Sequence, residues 1–418
     1  MVAAAERTAA PAPELLALRA AAAVRERCAL VHRWVADGRS PNFSLDEQRM
    51  DDVAAFVAET TRKTYPDLRV PYHSRWRHFS PDGADRWAAL VSTFVGVGSL
   101  ECARRAVDLA TVSVLLDAGA GDAWRYREPA TGRVFARSEG LAVASLDMFR
   151  AGLFSSEPSE PFRVDHAALQ RIDAASLARG MQVDADNPLP GLAQRATLLN
   201  RLGAALATHT DYFGRALARP GRLVDYFLGT VRDNRVSAPS VLAVQLDGLS
   251  EIWPSGLTLD GVALGDVGRH PAARTGDRSD GLVPFHKLSQ WLTYSLLEPL
   301  ETAGLAVADI DGLTGLAEYR NGGLFVDLGV IVPRKPIDPS RRYDVTSEFI
   351  VEWRALTVTL LDQLLDRVRP QLGVSPAKLP LASMLQGGTW TAGRAIAARL
   401  RPPQGPPPFA IAADGTVF

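Results

Sequence analysis

Apolar residues recur every three or four positions through most of the chain, the period of a helix that buries one face. Over 14–37 they fall at Leu15, Leu18, Ala22, Leu30 and Trp34. A second helix is expected over 45–65, because Ser44 followed three residues later by Glu47 matches a capping box. A third, over 100–116, should stop at the Gly119/Gly121 turn. The stretch 124–138, with Pro129 and Gly132, reads as a loop or short hairpin, and 139–154 returns to helical spacing. Helical patterns follow over 166–179, 191–206 and 223–235, and again after Pro239. From 251 to 278 glycines and short alternating apolar runs such as Leu257, Leu259 and Val262 suggest a small β element or an ordered loop. Beyond it, 283–303 reads as a helix, 324–332 as a strand and 345–368 as a long helix with a broad apolar face at Val351, Leu356, Leu360, Leu364 and Val368. The expected fold is mainly α with a small β component.

The Ser/Pro/Glu connection Ser155–Pro161 is the best boundary in the chain. It separates an N-terminal helical region, 14–154, from a C-terminal helical region, 162–418, that carries the β element. The two are expected to pack as one catalytic unit behind a disordered segment, 1–13. The length of 418 residues suits two or three domains or one large fold. Apolar residues make up 47% and charged residues 22%, as in ordinary soluble proteins. With 46 basic against 47 acidic residues there is no basic excess to hold a phosphate backbone, so nucleic acid is not the expected partner. Cys28 and Cys102 are too few for a disulfide scaffold. No run of 18 apolar residues and no signal-peptide pattern occurs, so the reading is a cytoplasmic protein without a membrane segment.

Four of the 46 basic residues are lysine, and only Lys287 lies within an apolar segment. Gly96-Val97-Gly98 continues with Glu101 where a dinucleotide fingerprint needs its third glycine. Walker A, HExxH and GxSxG patterns are missing. His73 and His78, in Tyr72–Phe79, would need a further ligand to hold a metal, and read more simply as part of a loop anchored by aromatic residues. Arg75 and Arg77 are a secondary option for gripping an anion.

Two segments remain that combine reactive groups, Asp280–Trp291 and Leu316–Gly323. If Pro284 opens a helix, Lys287, Trp291 and Tyr294 share one face and form an anion-binding wall. Read alone, Lys287 is a side chain snorkelling from a partly buried helix, with Trp291 and Tyr294 as ordinary core. Glu318, Tyr319 and Arg320 place a carboxylate, a phenol and a guanidinium before Asn321-Gly322-Gly323, whose glycines would let a ligand approach the backbone. Read alone, that run is a salt-bridged turn leading into a strand, because Asn-Gly is a common hairpin signal.

At these residues the chain resembles the uracil catabolism protein four family, a family of unknown domain function from fungi and bacteria. The resemblance runs through Arg75–Phe79, Leu115–Gly121, Arg137–Ala142, Ile252–Gly256, Gly281–Leu296, Glu318–Gly329 and Asp414–Phe418, nearly the whole chain. It implies a place in a route that degrades uracil through a uridine nucleotide and a ribosylurea-type intermediate. More distantly, Phe285-His286-Lys287 with Gln290, and Glu318-Tyr319-Arg320, are similar to the motifs of the queuosine 5′-phosphate N-ribohydrolase family, whose helical fold is DNA-glycosylase-like. That likeness implies a catalytic position for Glu318 and sugar-phosphate contacts for Lys287, Tyr319 and Arg320. This chain departs from it in having Glu for Asp at 318 and His286 for Tyr.

The activity so implied is a glycosidase acting on N-glycosyl compounds, cutting a ribose C1–N bond with Glu318 beside the oxocarbenium-like carbon. The donor to the leaving nitrogen is expected from His286, Tyr319 or Asp280. Trp291, Gly322 and Gly323 belong to the expected binding set, with Glu139 and Asp247 as further pocket residues. No metal and no cofactor is required, and the expected partner is a small ribosyl compound. The alternatives are a non-catalytic nucleotide-binding or scaffold protein of the same route and, ranked lower, a uracil phosphoribosyltransferase.

Overall fold

A computed structural model describes residues 12–253, 256–338 and 340–412. The chain is 53% helical with short strands and no closed sheet, so the mainly α fold expected from its periodicity is the fold it adopts. The longer helices are α1 (Ala21–Ala36), α2 (Met50–Thr64), α3 (Ser99–Leu115), α4 (Arg137–Arg150), α5 (Leu192–Thr208), α6 (Lys287–Thr302), α7 (Tyr319–Asp327), α8 (Glu348–Leu372) and α9 (Trp390–Leu400). Residues 1–11 of the N-terminal segment, Pro254-Ser255 and Asp414–Phe418 lie outside the described residues. Ala12 is buried and Pro13 opens a single helical turn.

The long-period expectations locate most elements, and the departures have local causes. Ser44 does not cap a helix: Phe43–Leu45 pairs antiparallel with Ile331–Pro333, and α2 starts only at Met50 after a tight turn over Glu47–Arg49. The pattern over 166–179 is two short helices, because the Asp173 side chain accepts from Ser176 N–H and restarts the helix there. Pro284 ends a strand rather than opening a helix, since Leu282–Pro284 pairs with Val267–Arg269. The residues read as a strand from 324 are helical as far as Asp327, and only Ile331–Pro333 is extended. The stretch 124–138 forms the hairpin Arg125–Arg127 with Val134–Ala136, and 251–278 holds short strands as expected.

The helices pack in pairs: α6 on α3, α8 on α1 and α2, and α7 on α8 and α9. Their apolar faces form one large cluster that draws on both sides of 155–161, with Phe149 and Phe154 before it and Val164 and Leu169 after. An ion pair inside the cluster region ties the middle of the chain to α3. Asp108, fully buried, accepts from Arg219 Nε at 2.8 Å, from Gly221 N–H at 2.6 Å and from Val164 N–H at 3.1 Å. A buried carboxylate persists only when its lone pairs are met in this way. The tie matters to function because α3 leads directly into Asp117.

Candidate active site

Lys287 is the first residue of α6, and the chain enters it through His286 in the left-handed region at φ +49°. The Lys287 N–H donates to Asp266 Oδ2 at 3.0 Å, and Arg354 of α8 clamps the same carboxylate with contacts of 2.8 and 2.6 Å. Glu318 is the N-cap of α7. Its carboxylate accepts from Arg320 N–H at 2.7 Å and Asn321 N–H at 2.6 Å, which fixes the plane of both oxygens. The negative charge also sits favourably at the positive end of the helix dipole.

These two helix starts open onto one cavity of about 890 Å³. Lys287, Trp291, Glu318, Tyr319 and Arg320 all line it, as do Asp117, Arg137, His73, His78 and Trp390. Five of the expected site residues are thus brought together from segments some thirty positions apart. The ionised lining consists of Arg137, Lys287, Arg320 and Arg342 against Asp117, Asp122 and Glu318, a surplus of cations suited to an anionic ligand.

The other expected residues stand elsewhere. His286 is buried, its Nε2 lies 2.8 Å from the Leu18 carbonyl, and it lines a small separate pocket beside Asp266. Asp280 sits in a surface loop, accepting from Arg274 at 3.0 Å and from Thr275 N–H at 2.9 Å. Asp247 is exposed and takes the Tyr212 hydroxyl at 2.6 Å. Glu139 pairs with Arg394 at 2.9 Å and lines a neighbouring pocket. Gly322 and Gly323 are helical, and the Gly322 N–H bonds the Glu318 carbonyl at 2.9 Å instead of facing a ligand. A methyl group on Gly322 would meet the Trp353 ring at 2.8 Å, so that glycine serves close packing of α7 on α8. Of the two arginines kept as anion contacts, Arg77 bonds Glu298 at 2.6 Å, and Arg75 is committed to Asp117.

Asp117 lines the cavity but was not among the residues expected from the sequence, and the same holds for Arg137 and Trp390. Arg75, with no exposed surface, donates Nη1 to Asp117 Oδ1 at 2.7 Å and Nε to Ser113 Oγ at 2.6 Å, while Ser138 Oγ lies 2.7 Å from both carboxylate oxygens. The available signal was an aspartate directly after a helix and before Gly119-Ala120-Gly121, within a segment that carries the family resemblance.

Burial sets the protonation equilibria of the cavity. It pushes the Glu318 carboxyl above the ordinary range, opposed by the two capping N–H groups and by Lys287. It lowers the Lys287 ammonium, opposed chiefly by Glu318. Burial also raises the Asp117 carboxyl against the pull of Arg75, and raises the Tyr319 phenol. Among the described residues, His270, Glu348 and Glu352 have ligand atoms close enough to share a metal. Glu352 is already engaged there, by His270 Nε2 at 3.2 Å and Ser40 Oγ at 2.8 Å.

A mainly helical scaffold thus carries, among the described residues, a cavity lined by four basic and three acidic side chains with a fixed carboxylate on its wall. The chain belongs to the family described as "Protein of unknown function (DUF1688)", whose model matches residues 17–418. It is 42% identical over 388 residues to "Protein urg3" of Schizosaccharomyces pombe, covering 90% of this chain and 92% of that protein. It is 38% identical over 428 residues to "Uracil catabolism protein 4" of Lachancea kluyveri, covering 94% and 97% respectively.

Proposed function

We propose that the protein acts in uracil degradation as an N-ribosyl hydrolase, cutting the C1–N bond of a 5′-phosphorylated ribosylurea-type compound to give urea and ribose 5-phosphate. The name of the Lachancea kluyveri relative supports the pathway. The observation that carries the chemistry is that Glu318, Lys287, Tyr319 and Arg320 line a single cavity.

Breaking a C1–N bond leaves positive charge on the sugar, and a carboxylate held in place before the reaction stabilises that charge without reorganising. Glu318 is so held by its two backbone donors, and each oxygen retains a second lone pair. It stabilises C1, orients the attacking water and takes the water's proton as the new C1–O bond forms. The C1–N electrons pass to the urea nitrogen, which must gain a proton. Of the three donors considered from sequence, Tyr319 lines the cavity, and burial keeps its phenol protonated. Lys287, Arg320 and Arg137 hold the phosphate.

The decisive measurement is urea release from ribosylurea 5′-phosphate by the purified protein. Glu318→Gln keeps the size and one of the two capping acceptors and should lower kcat by about 100-fold or more. Unchanged turnover in that variant would reject the role of Glu318. The second reading, binding without cleavage, is favoured by the same capping bonds, since they give Glu318 a structural role of its own. Tight binding with no urea after long incubation would select it.

A further inference from the structure

One wall of the cavity is built from four aromatic rings drawn from three parts of the chain. Trp291 lies one turn along α6 from Lys287, Trp390 opens α9, and His73 precedes and His78 lies within the tight turn Arg75–Phe79. The two indoles bracket the two imidazoles. His73 lies 6.2 Å from Trp291 and 5.9 Å from Trp390, and His78 lies 5.6 and 5.9 Å from the same rings, centroid to centroid. All four line the cavity. Trp291 is more than nine-tenths buried, and its Nε1–H has no hydrogen-bond partner among the described residues.

The electrostatics of this wall differ from those around Lys287 and Arg320. Burial drives both imidazoles to the neutral form, His73 down to about 4 and His78 well below its ordinary value. The arginines behind the indoles are neutralised: Arg75, 5.6 Å from the Trp291 ring, is paired with Asp117, and Arg394, 4.8 Å from Trp390, is paired with Glu139. The cavity therefore has a cationic part and an uncharged aromatic part. A ligand that spans them has an anionic end and a flat neutral end.

We propose that the four-ring wall is the subsite for the leaving group, and that it selects a planar, uncharged, conjugated nitrogen substituent such as a ureide over one carrying its own carboxylate. The inference rests on the N-ribosyl reading for the identity of the substrate. It goes beyond that reading in assigning the residues that hold the leaving group and the chemistry by which they reject a carboxylate there. Rings offer a flat amide face-to-face contact and lose little rotamer freedom on binding. A carboxylate placed there would be desolvated without a free cation to meet it.

The test uses equilibrium binding as well as turnover, so that the subsite and the reaction are judged separately. Calorimetry would compare ribose 5-phosphate, ribosylurea 5′-phosphate and the ureido-acid analogue with a terminal carboxylate, using the Glu318→Gln protein to prevent cleavage. Ribosylurea 5′-phosphate should bind more tightly than ribose 5-phosphate, and the ureido acid at least about tenfold more weakly than ribosylurea 5′-phosphate. Trp390→Leu, at a partly open position, should remove most of the gain due to the ureide while changing ribose 5-phosphate affinity less than about twofold. Trp291→Phe, which conserves a ring in the core, gives a second and milder reading of the same ratio. Equal weakening of both ligands in Trp390→Leu, an unaltered ratio in both variants, or tighter binding of the ureido acid would overturn the proposal. Wild-type protein that binds in the expected order but releases no urea would reject the hydrolase and leave the subsite standing.

Discussion

Glu318 and Lys287 illustrate how a single residue can satisfy both packing and chemistry. The Glu318 carboxylate closes the first turn of α7, so truncation to Ala removes a cap as well as a charge, whereas Gln keeps the acceptor on one side. Lys287 sits at the start of α6 with its N–H secured by Asp266, so its side chain is aimed by a backbone contact that survives mutation of the side chain itself. We therefore expect Lys287→Ala to raise KM for ribosylurea 5′-phosphate by about tenfold or more, with a much smaller effect on the unphosphorylated nucleoside. Equal effects on the two substrates would remove Lys287 from the phosphate. The carboxylate of Glu318 is lost as pH falls through its raised value. The acid limb of kcat/KM should accordingly lie above the ordinary glutamate range and disappear from whatever residual rate Glu318→Gln retains.

At the level of elements, α7 carries local signals that conflict with its helical state. Asn321-Gly322-Gly323 is a turn signal in isolation, and Leu324–Val332 has apolar content compatible with a strand. Two features outside that window override it: a capping carboxylate at Glu318, and a neighbouring helix so close that only a hydrogen fits at Gly322. Gly393 plays the complementary part on α9, which lies directly against the Arg320 backbone. Gly322→Ala should cost about 1–3 kcal/mol through overpacking against Trp353 and Thr357, read as a lower Tm, even though alanine is the better helix former. A Tm equal to or above that of the parent would show that α8 yields at no cost, contrary to the packing described.

Across the whole molecule, stability depends on keeping buried histidines uncharged. His73 has a folded-state value of about 4 against 6.5 when unfolded, so the unfolded chain binds the proton more readily. The stability this residue permits is present above about pH 6.5 and is lost as pH falls towards 4, by roughly 3 kcal/mol over the full window. His73→Gln, which keeps a partner for Gln386, should flatten denaturant midpoints between those pH values. An unaltered slope would mean that His73 is not held neutral by the fold.

Helical periodicity was enough to place α3, α6 and α8, because one buried face per helix imposes a repeat that local sequence carries. Residue type alone singled out Lys287, the lysine in an apolar segment of an arginine-dominated chain, and the adjacent acid, phenol and guanidinium of Glu318–Arg320. Convergence was decided in three dimensions. Packing of α7 against α8 and α9, and of α6 against α3, accompanies the meeting of Glu318 and Lys287 on one cavity, while His286, Asp280 and Asp247 lie in other surroundings. Asp117 and the four rings joined the cavity for the same reason: proximity between segments hundreds of positions apart is set by which faces bury each other, and no local pattern encodes that pairing.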